Sequence, residues 1–467
     1  MTEGVQVSTR LLIGVLISAV FVSVLNSSMV NVVIPVIGRD YGVTEAQVGW
    51  VITGYLLTYA VGIPLYGRAA DVFSIRRAFT VGLLAFAAGS LICASAPSLG
   101  ALVLGRIVQG AGGAAIPALS SVSVTKILPP GERGSALGLI VSSVGIGAAI
   151  GPIVGGAVGA LAGWHYLFVG TFILTAVLIP ASLYVLPDDS PEGARGFDLP
   201  GGILLGLAAG LFLFGITRGQ ISGFGSAGSW GSFTGSALAA AGFGWRIKSV
   251  AEPFVSPALF KNRAYVAAVV VGYFSMLTNV SALVFVPLLV SEANGLSPGH
   301  AGLVLTPGAV GLAIISPLAG RWSDRVGVRP LIFAGLVTML LSVLSISTFG
   351  AGATPVFVSL GMLGVGTGFA LANSPNINAA ASALGPDEVG AGLGIFNGAF
   401  FLGGGTGPAV IGAFLAARKE ADAGALNPLY TLDAVAFSDA FLVLTFALLI
   451  SLVATLGLRS TTAKETT

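Results

Sequence analysis

Arg106 is the residue whose setting makes the strongest chemical demand. It alone interrupts an otherwise uncharged run from residue 99 to 125, and a charge at that depth in hydrocarbon costs on the order of 3 kcal/mol unless it is paired or hydrated. Gln109 follows three residues on and shares its helical face. Two readings fit. Arg106 faces a polar cavity, or it snorkels toward the interface from a position about seven residues into the run. Uncharged polar groups form a second pattern: Asn26, Ser27, Ser28 and Asn31, then Asn279, then Asn373, Asn376 and Asn378, then Asn397. Ser27 and Asn31 are spaced i, i+4 and Asn373 and Asn376 are spaced i, i+3, so each pair shares a face. Amides in lipid need partners. They either glue helices together or line a cavity with Trp50, Tyr55 and Tyr59.

The carboxylates are informative by their positions. All nineteen acids fall in expected loops or at helix ends, with Asp439 and Glu292 the nearest to exceptions. Intramembrane carboxylates are the usual proton carriers and cation receptors of transporters, and the pattern holds none. His165, His300 and the single Cys93 make neither a histidine metal site nor a disulfide framework. No nucleophile and base recur together, so an enzyme or a membrane sensor is a remote reading and no catalytic residue is assigned. A net charge of +2 without a basic tract argues against nucleic acid.

The elements that must position these residues are membrane helices. Only 9% of the 467 residues are charged, 55% are hydrophobic and 68 are glycine, far from the mix of a soluble domain. Fourteen runs of spanning length can be drawn, at 11–36, 46–66, 78–97, 99–125, 135–160, 164–186, 200–217, 229–245, 265–290, 300–319, 331–349, 355–380, 389–416 and 436–458. The seventh and eighth are the weakest. With the N-terminus inside, sixteen basic residues are cytoplasmic, among them Arg68, Arg76, Arg77, Lys126, Arg195, Arg246, Arg321, Arg325, Arg329, Arg459 and Lys464; only Arg39, Arg218, Arg418 and Lys419 fall outside. The positive-inside rule therefore supports an even count with both termini cytoplasmic. The fold expected is an all-α polytopic membrane protein.

A repeat divides the chain. Gly67, Arg68, Asp71 and Arg76 return as Gly320, Arg321, Asp324 and Arg329, each 253 residues on, while Pro330 meets Arg77 and Arg325 stands at the place of Val72. Gly110 and Gly112 meet Gly366 and Gly368, and Gly151-Pro152 meets Gly407-Pro408, at an offset of 256. Two six-helix halves follow, residues 1–187 and 251–467, with helices 7 and 8 inserted over 188–250. At the repeated loop an acid can cap a helix start and hold neighbouring arginines, as a clasp that breaks when the halves rock; the plainer reading is a solvated basic turn. At the position of Arg106 the second half has Met362. In helix 5, Gly147, Gly151 and Gly155 recur every four residues beside Pro152 and Gly156, which fits plain helix packing or a hinge between halves.

These residues resemble the major facilitator superfamily, specifically its 14-helix drug:proton antiporter branch, which includes Gram-positive tetracycline and multidrug exporters. The resemblance is carried by Val24-Leu25-Asn26 through Asn31 and Pro35, by Gly67 to Arg77, by Arg106 to Gly112, and by Gly151-Pro152-Ile153-Val154-Gly155-Gly156. Glu252-Pro253-Phe254-Val255, Gly390-Ala391-Gly392 and Gly405-Thr406-Gly407 extend it. It implies that Asp71 and its arginines control a cytoplasmic gate, and that Arg106 takes part in proton transfer or in holding helix 4. It further implies a monomeric exporter in the plasma membrane, moving a small amphipathic compound by alternating access in exchange for protons and with no cofactor. Tetracycline exporters of this kind carry acids where this chain has Ser27-Ser28 and Gly404. A neutral, zwitterionic or anionic compound is therefore expected rather than a cation. An uncoupled facilitator or a lipid or glycolipid flippase is the alternative.

Overall fold

Long runs of Ala, Leu, Val and Gly without charge satisfy their backbone groups internally as helices, the form lipid demands of an open chain. The computed structural model describes residues 9–188, 198–421 and 424–458; Arg195, Arg459 and Lys464 lie outside them. Fourteen helices of spanning length are present among the described residues: α1 Thr9–Asp40, α2 Trp50–Val72, α3 Ile75–Ala94, α4 Leu99–Ile127, α5 Pro130–Leu161, α6 His165–Val185, α7 Leu199–Ser222, α8 Ala227–Ser249, α9 Arg263–Asn294, α10 Pro298–Val326, α11 Val328–Ser345, α12 Pro355–Ser382, α13 Val389–Glu420 and α14 Val435–Ala454. Thirteen are apolar enough to cross a membrane by length and composition; α8, rich in serine and glycine, is the one that is not. Helix α4 is interrupted at Ala114, between Gly113 and Ala115. Pro117 has no N–H for the carbonyl four residues back.

Two differences from the sequence reading stand out. The Gly67–Asp71 motif is not in a loop: it forms the last turns of α2, which ends at Val72, and Gly320–Asp324 likewise belongs to α10. Gly67, Arg68 and Asp71 are buried there, so the helix continues past the apolar run. Helix α3 ends at Ala94, before the limit expected, because Pro97 follows and Ser98 caps α4 by accepting from Ala101 N.

The chain forms two compact units. One comprises residues 1–129, 146–257 and 384–398; the other comprises 130–145, 258–383 and 399–467. Helices α5 and α13 each give their first segment to one unit and the rest to the other.

Within each unit glycine sets how closely helices approach. In the first, α4 lies against α2 and α3: a Cβ on Gly110 would overlap the Tyr55 carbonyl, and one on Gly112 would overlap the Phe86 nitrogen. In the second, α12 lies against α10 and α11 by the same device, with Gly366 on Gly308 and Gly368 on Gly335. The repeat read from the glycines is thus a repeat of backbone contacts. Gly151 on Ser28 of α1 and Gly407 on Leu277 of α9 continue it. The inserted pair is tied to the first unit by Gly202 and Gly206 of α7, which rest on Leu65 and Val61. Asp198 adds a polar tie, accepting from Gly201 N at 3.0 Å, Arg246 Nε at 2.6 Å and Phe254 N at 3.1 Å. This gives the Glu252-Pro253-Phe254-Val255 segment a structural role.

The α3–α4 contact makes a direct prediction. Gly112→Val must push backbone from backbone, so it should destabilise the protein by about 1–3 kcal/mol. Gly156→Ala, where nothing lies within 4 Å of a new Cβ, should leave the thermal midpoint of the purified protein unchanged.

Candidate functional site

Arg106 is 1% exposed and does not snorkel. Its Nε donates to the Val51 carbonyl at 3.1 Å, and its Nη1 donates to Asn26 Oδ1 at 3.1 Å and to Gln109 Oε1. The guanidinium lies over the Tyr55 ring, 4.1 Å from its centroid, where the ring's negative face attracts it. The network extends outward. Asn26 Nδ2 donates to Thr171 Oγ1 at 3.0 Å and Gln109 Nε2 to Ser90 Oγ at 2.7 Å; those hydroxyls donate to Leu167 and Phe86 carbonyls in their own helices. One cation therefore joins α1, α2, α3, α4 and α6 within the first unit. No carboxylate pairs with it among the described residues. Local spacing explains the arrangement: Arg106 and Gln109 are i, i+3 on α4, and the glycines of α4 allow a reach across to the α2 backbone.

The other expected polar residues divide. Tyr59 stacks on Tyr55 with centroids 5.5 Å apart, one turn further along α2. Ser27 is half-buried and Asn31 exposed, on a different face of α1 from Asn26. Asn397 is buried but donates to the Leu393 carbonyl of its own helix. Asn279, Asn373 and Asn376 belong to the second unit; Asn376 Nδ2 donates to the Ala268 carbonyl at 2.9 Å, and Oδ1 of both Asn373 and Asn376 is buried without a hydrogen-bond partner.

The repeated acids each accept two consecutive backbone N–H groups near the start of a distant helix. Asp71 accepts from Gly390 N at 2.9 Å and Ala391 N at 2.7 Å, the first residues of α13, and pairs with Lys126 Nζ at 2.8 Å. Gly67 allows this approach, since a Cβ there would lie 2.5 Å from the Gly390 carbonyl. In the second unit Asp324 accepts from Gly134 N and Ser135 N of α5, both at 3.0 Å. The match is partial: Gly390 and Ala391 lie in the first turn of α13, where N–H groups have no intrahelical acceptor, whereas Gly134 and Ser135 are the fifth and sixth residues of α5 and lie just beyond its unpaired N–H groups. The expectation that Asp71 holds the arginines after it is corrected: Arg76 Nη1 and Arg77 Nε lie 3.8 Å from Asp188, and Arg76 also donates to the Leu186 carbonyl. Arg325 is exposed and Arg329 half-buried.

The small-residue stripe of α5 is a packing face. Gly147, Gly151 and Gly155 sit against Phe21, Ser28 and Met29 of α1, in one unit, while Gly156 faces open space. Pro152 lies within a helix that continues to Leu161.

Two further features were not legible beforehand. One is Lys126, the counter-ion of Asp71, 55 residues away in sequence. The other is a polar cavity of about 620 Å³ lined by Arg68, Glu252, Asp387 and Glu388. At Asp439 and Glu292, the acids nearest to being exceptions, the partners are Arg418 at 2.7 Å and Lys419 at 2.6 Å. Arg418 and Lys419 are thereby neutralised.

The Arg106 geometry predicts that Arg106→Lys is not conservative. An ammonium is a single point without the guanidinium fork, so some of the Val51, Asn26 and Gln109 oxygens lose their donor at about 1–3 kcal/mol each. A lower unfolding midpoint in detergent is expected, and an unchanged one would contradict the network.

Comparison with known proteins agrees with this architecture. The family model "Major Facilitator Superfamily" matches residues 16–251 and 268–467. Multidrug resistance protein Stp of Mycobacterium tuberculosis is 30% identical over 406 residues, covering 86% of this chain and 75% of that one. The tetracenomycin C resistance and export protein of Streptomyces glaucescens is 30% identical over 398 residues, covering 84% and 73%. Among solved structures, the human organic anion transporter MFSD10 (TETRAN) superposes with a TM-score of 0.68 at 15% identity, over 95% of this chain and 100% of that one, a likeness of fold alone. The chain belongs to the major facilitator superfamily, as a multi-pass membrane transporter and not an enzyme.

Proposed function

We propose that the chain exports an amphipathic organic compound from the cytoplasm by alternating access, as a monomer in the plasma membrane with both termini cytoplasmic. The observation that carries this reading is a pair of repeat-related carboxylate contacts, Asp71 capping the first turn of α13 and Asp324 accepting from the second turn of α5. A helix cap contributes about 0.5–2 kcal/mol. That is enough to bias one arrangement and little enough to break and re-form in every cycle. The resistance and export roles of the relatives support the direction, and the basic residues of the expected cytoplasmic loops support the orientation.

The buried Arg106, with no mid-helix carboxylate among the described residues, favours a neutral, zwitterionic or anionic compound over a cation. Exchange for protons is the coupling that the resemblance implies. A second reading, an uncoupled facilitator or lipid flippase, is supported by the acids: each described one lies in a loop or near a helix end, and none is placed at mid-helix to carry a proton.

Cells expressing the chain should tolerate higher concentrations of a subset of amphipathic compounds and accumulate less of them. Unchanged susceptibility and accumulation across a broad panel would contradict export. Asp71→Asn removes the charge from the start of α13, so it should slow turnover several-fold while leaving substrate affinity near wild type. Loss of affinity with turnover intact would remove Asp71 from the gate.

A further inference from the structure

Arg106 has five N–H groups and spends three. Nε and Nη1 serve Val51, Asn26 and Gln109, and the two N–H groups of Nη2 have no acceptor among the described residues. A guanidinium does not lose its proton in a protein, so Arg106 is a fixed positive charge and no proton carrier. The titratable groups that interact with it are Tyr55 and Cys93, both ordinarily neutral. Its surroundings supply hydrogen bonds and an aromatic face, but no counter-charge.

A desolvated charge is costly, and an oxyanion on the Nη2 edge would supply both the missing counter-charge and the missing acceptors through charge-assisted hydrogen bonds. Tyr55 covers one face of the guanidinium and stacks on Tyr59, so a ring-bearing frame next to the oxyanion would meet an aromatic wall. We propose that Nη2 of Arg106 docks an oxyanion of the exported compound, a carboxylate, phenolate or sulfonate on an apolar or aromatic frame, and that the inside-negative membrane potential drives its export without exchanged protons.

This inference rests on the exporter reading above. The charges balance over a cycle. The loaded site is neutral as it turns outward; after release, the empty site carries one positive charge on its return, which an inside-negative potential favours. One negative charge leaves per turnover. A monoanion moved this way accumulates against a gradient of tenfold for every ~59 mV. The scarcity of carboxylates in the helices and the unpaired arginine then have one explanation.

The test uses the full chain in proteoliposomes with a potassium diffusion potential set by valinomycin, and three dyes: fluorescein, in buffer acidic enough to keep its phenol protonated so that it is a monoanion, Nile red as neutral compound and ethidium as cation. Fluorescein should move toward the positive side, reverse when the potential is reversed, and cause no substrate-dependent pH change. Arg106→Gln should reduce its transport at least ~10-fold, as expected when one partner of a desolvated charge pair is removed, while Arg106→Lys retains part of it. The wild-type response to potential stands even if a variant folds poorly. Transport of ethidium alone, fluorescein movement indifferent to potential, or a stoichiometric pH change would overturn the proposal. Movement of no dye, together with an unchanged susceptibility panel, would instead remove the exporter reading on which it rests.

Discussion

A guanidinium that cannot discharge is held inside an apolar helical unit by neutral oxygens and one aromatic face. Much of the first unit can be understood as what that requires. Asn26, Gln109 and the Val51 carbonyl must converge from three helices, and each needs its own support from Thr171, Ser90 or the helix backbone. The convergence depends on close backbone approach, which the glycines of α4 provide on both sides. The cation, its polar shell and the glycine contacts therefore form one design: enlarging a glycine moves the helix that carries the charge.

The second unit repeats the packing and omits the charge. Gly366 and Gly368 bring α12 against its neighbours as Gly110 and Gly112 bring α4, yet Met362 stands where Arg106 does. The carboxylate-to-backbone contacts, in contrast, are present in both units, although Asp71 caps the first turn of α13 and has Lys126 as a counter-ion, while Asp324 accepts from second-turn N–H groups of α5. Contacts that shape and clasp the helices are kept in duplicate. The element proposed to contact a substrate, Arg106, is single.

Much of this was legible in the amino-acid sequence because membrane helices are written in composition. The fourteen helices, the repeat and the isolated Arg106 follow from hydropathy, glycine spacing and charge. What could not be read were partners set by packing. The backbone carbonyl of Val51 has no side-chain signature, and Lys126 looks like any residue obeying the positive-inside rule. Asp71 reads as a local cap, but its acceptors face Gly390 and Ala391, 319 and 320 residues away. Ser27 and Asn31 show the converse error: a shared face says nothing of which way the face points, and Asn26, one residue from Ser27, is the amide that reaches Arg106.

The central claim is that Arg106 is the charge that meets the transported molecule, and a structure of the protein with an exported compound bound tests it most directly. An oxygen of that compound within hydrogen-bonding distance of Nη2, with the bonds to Val51, Asn26 and Gln109 intact, is the predicted result. A bound compound that leaves Nη2 untouched, or an acid side chain found pairing with it, would contradict the account.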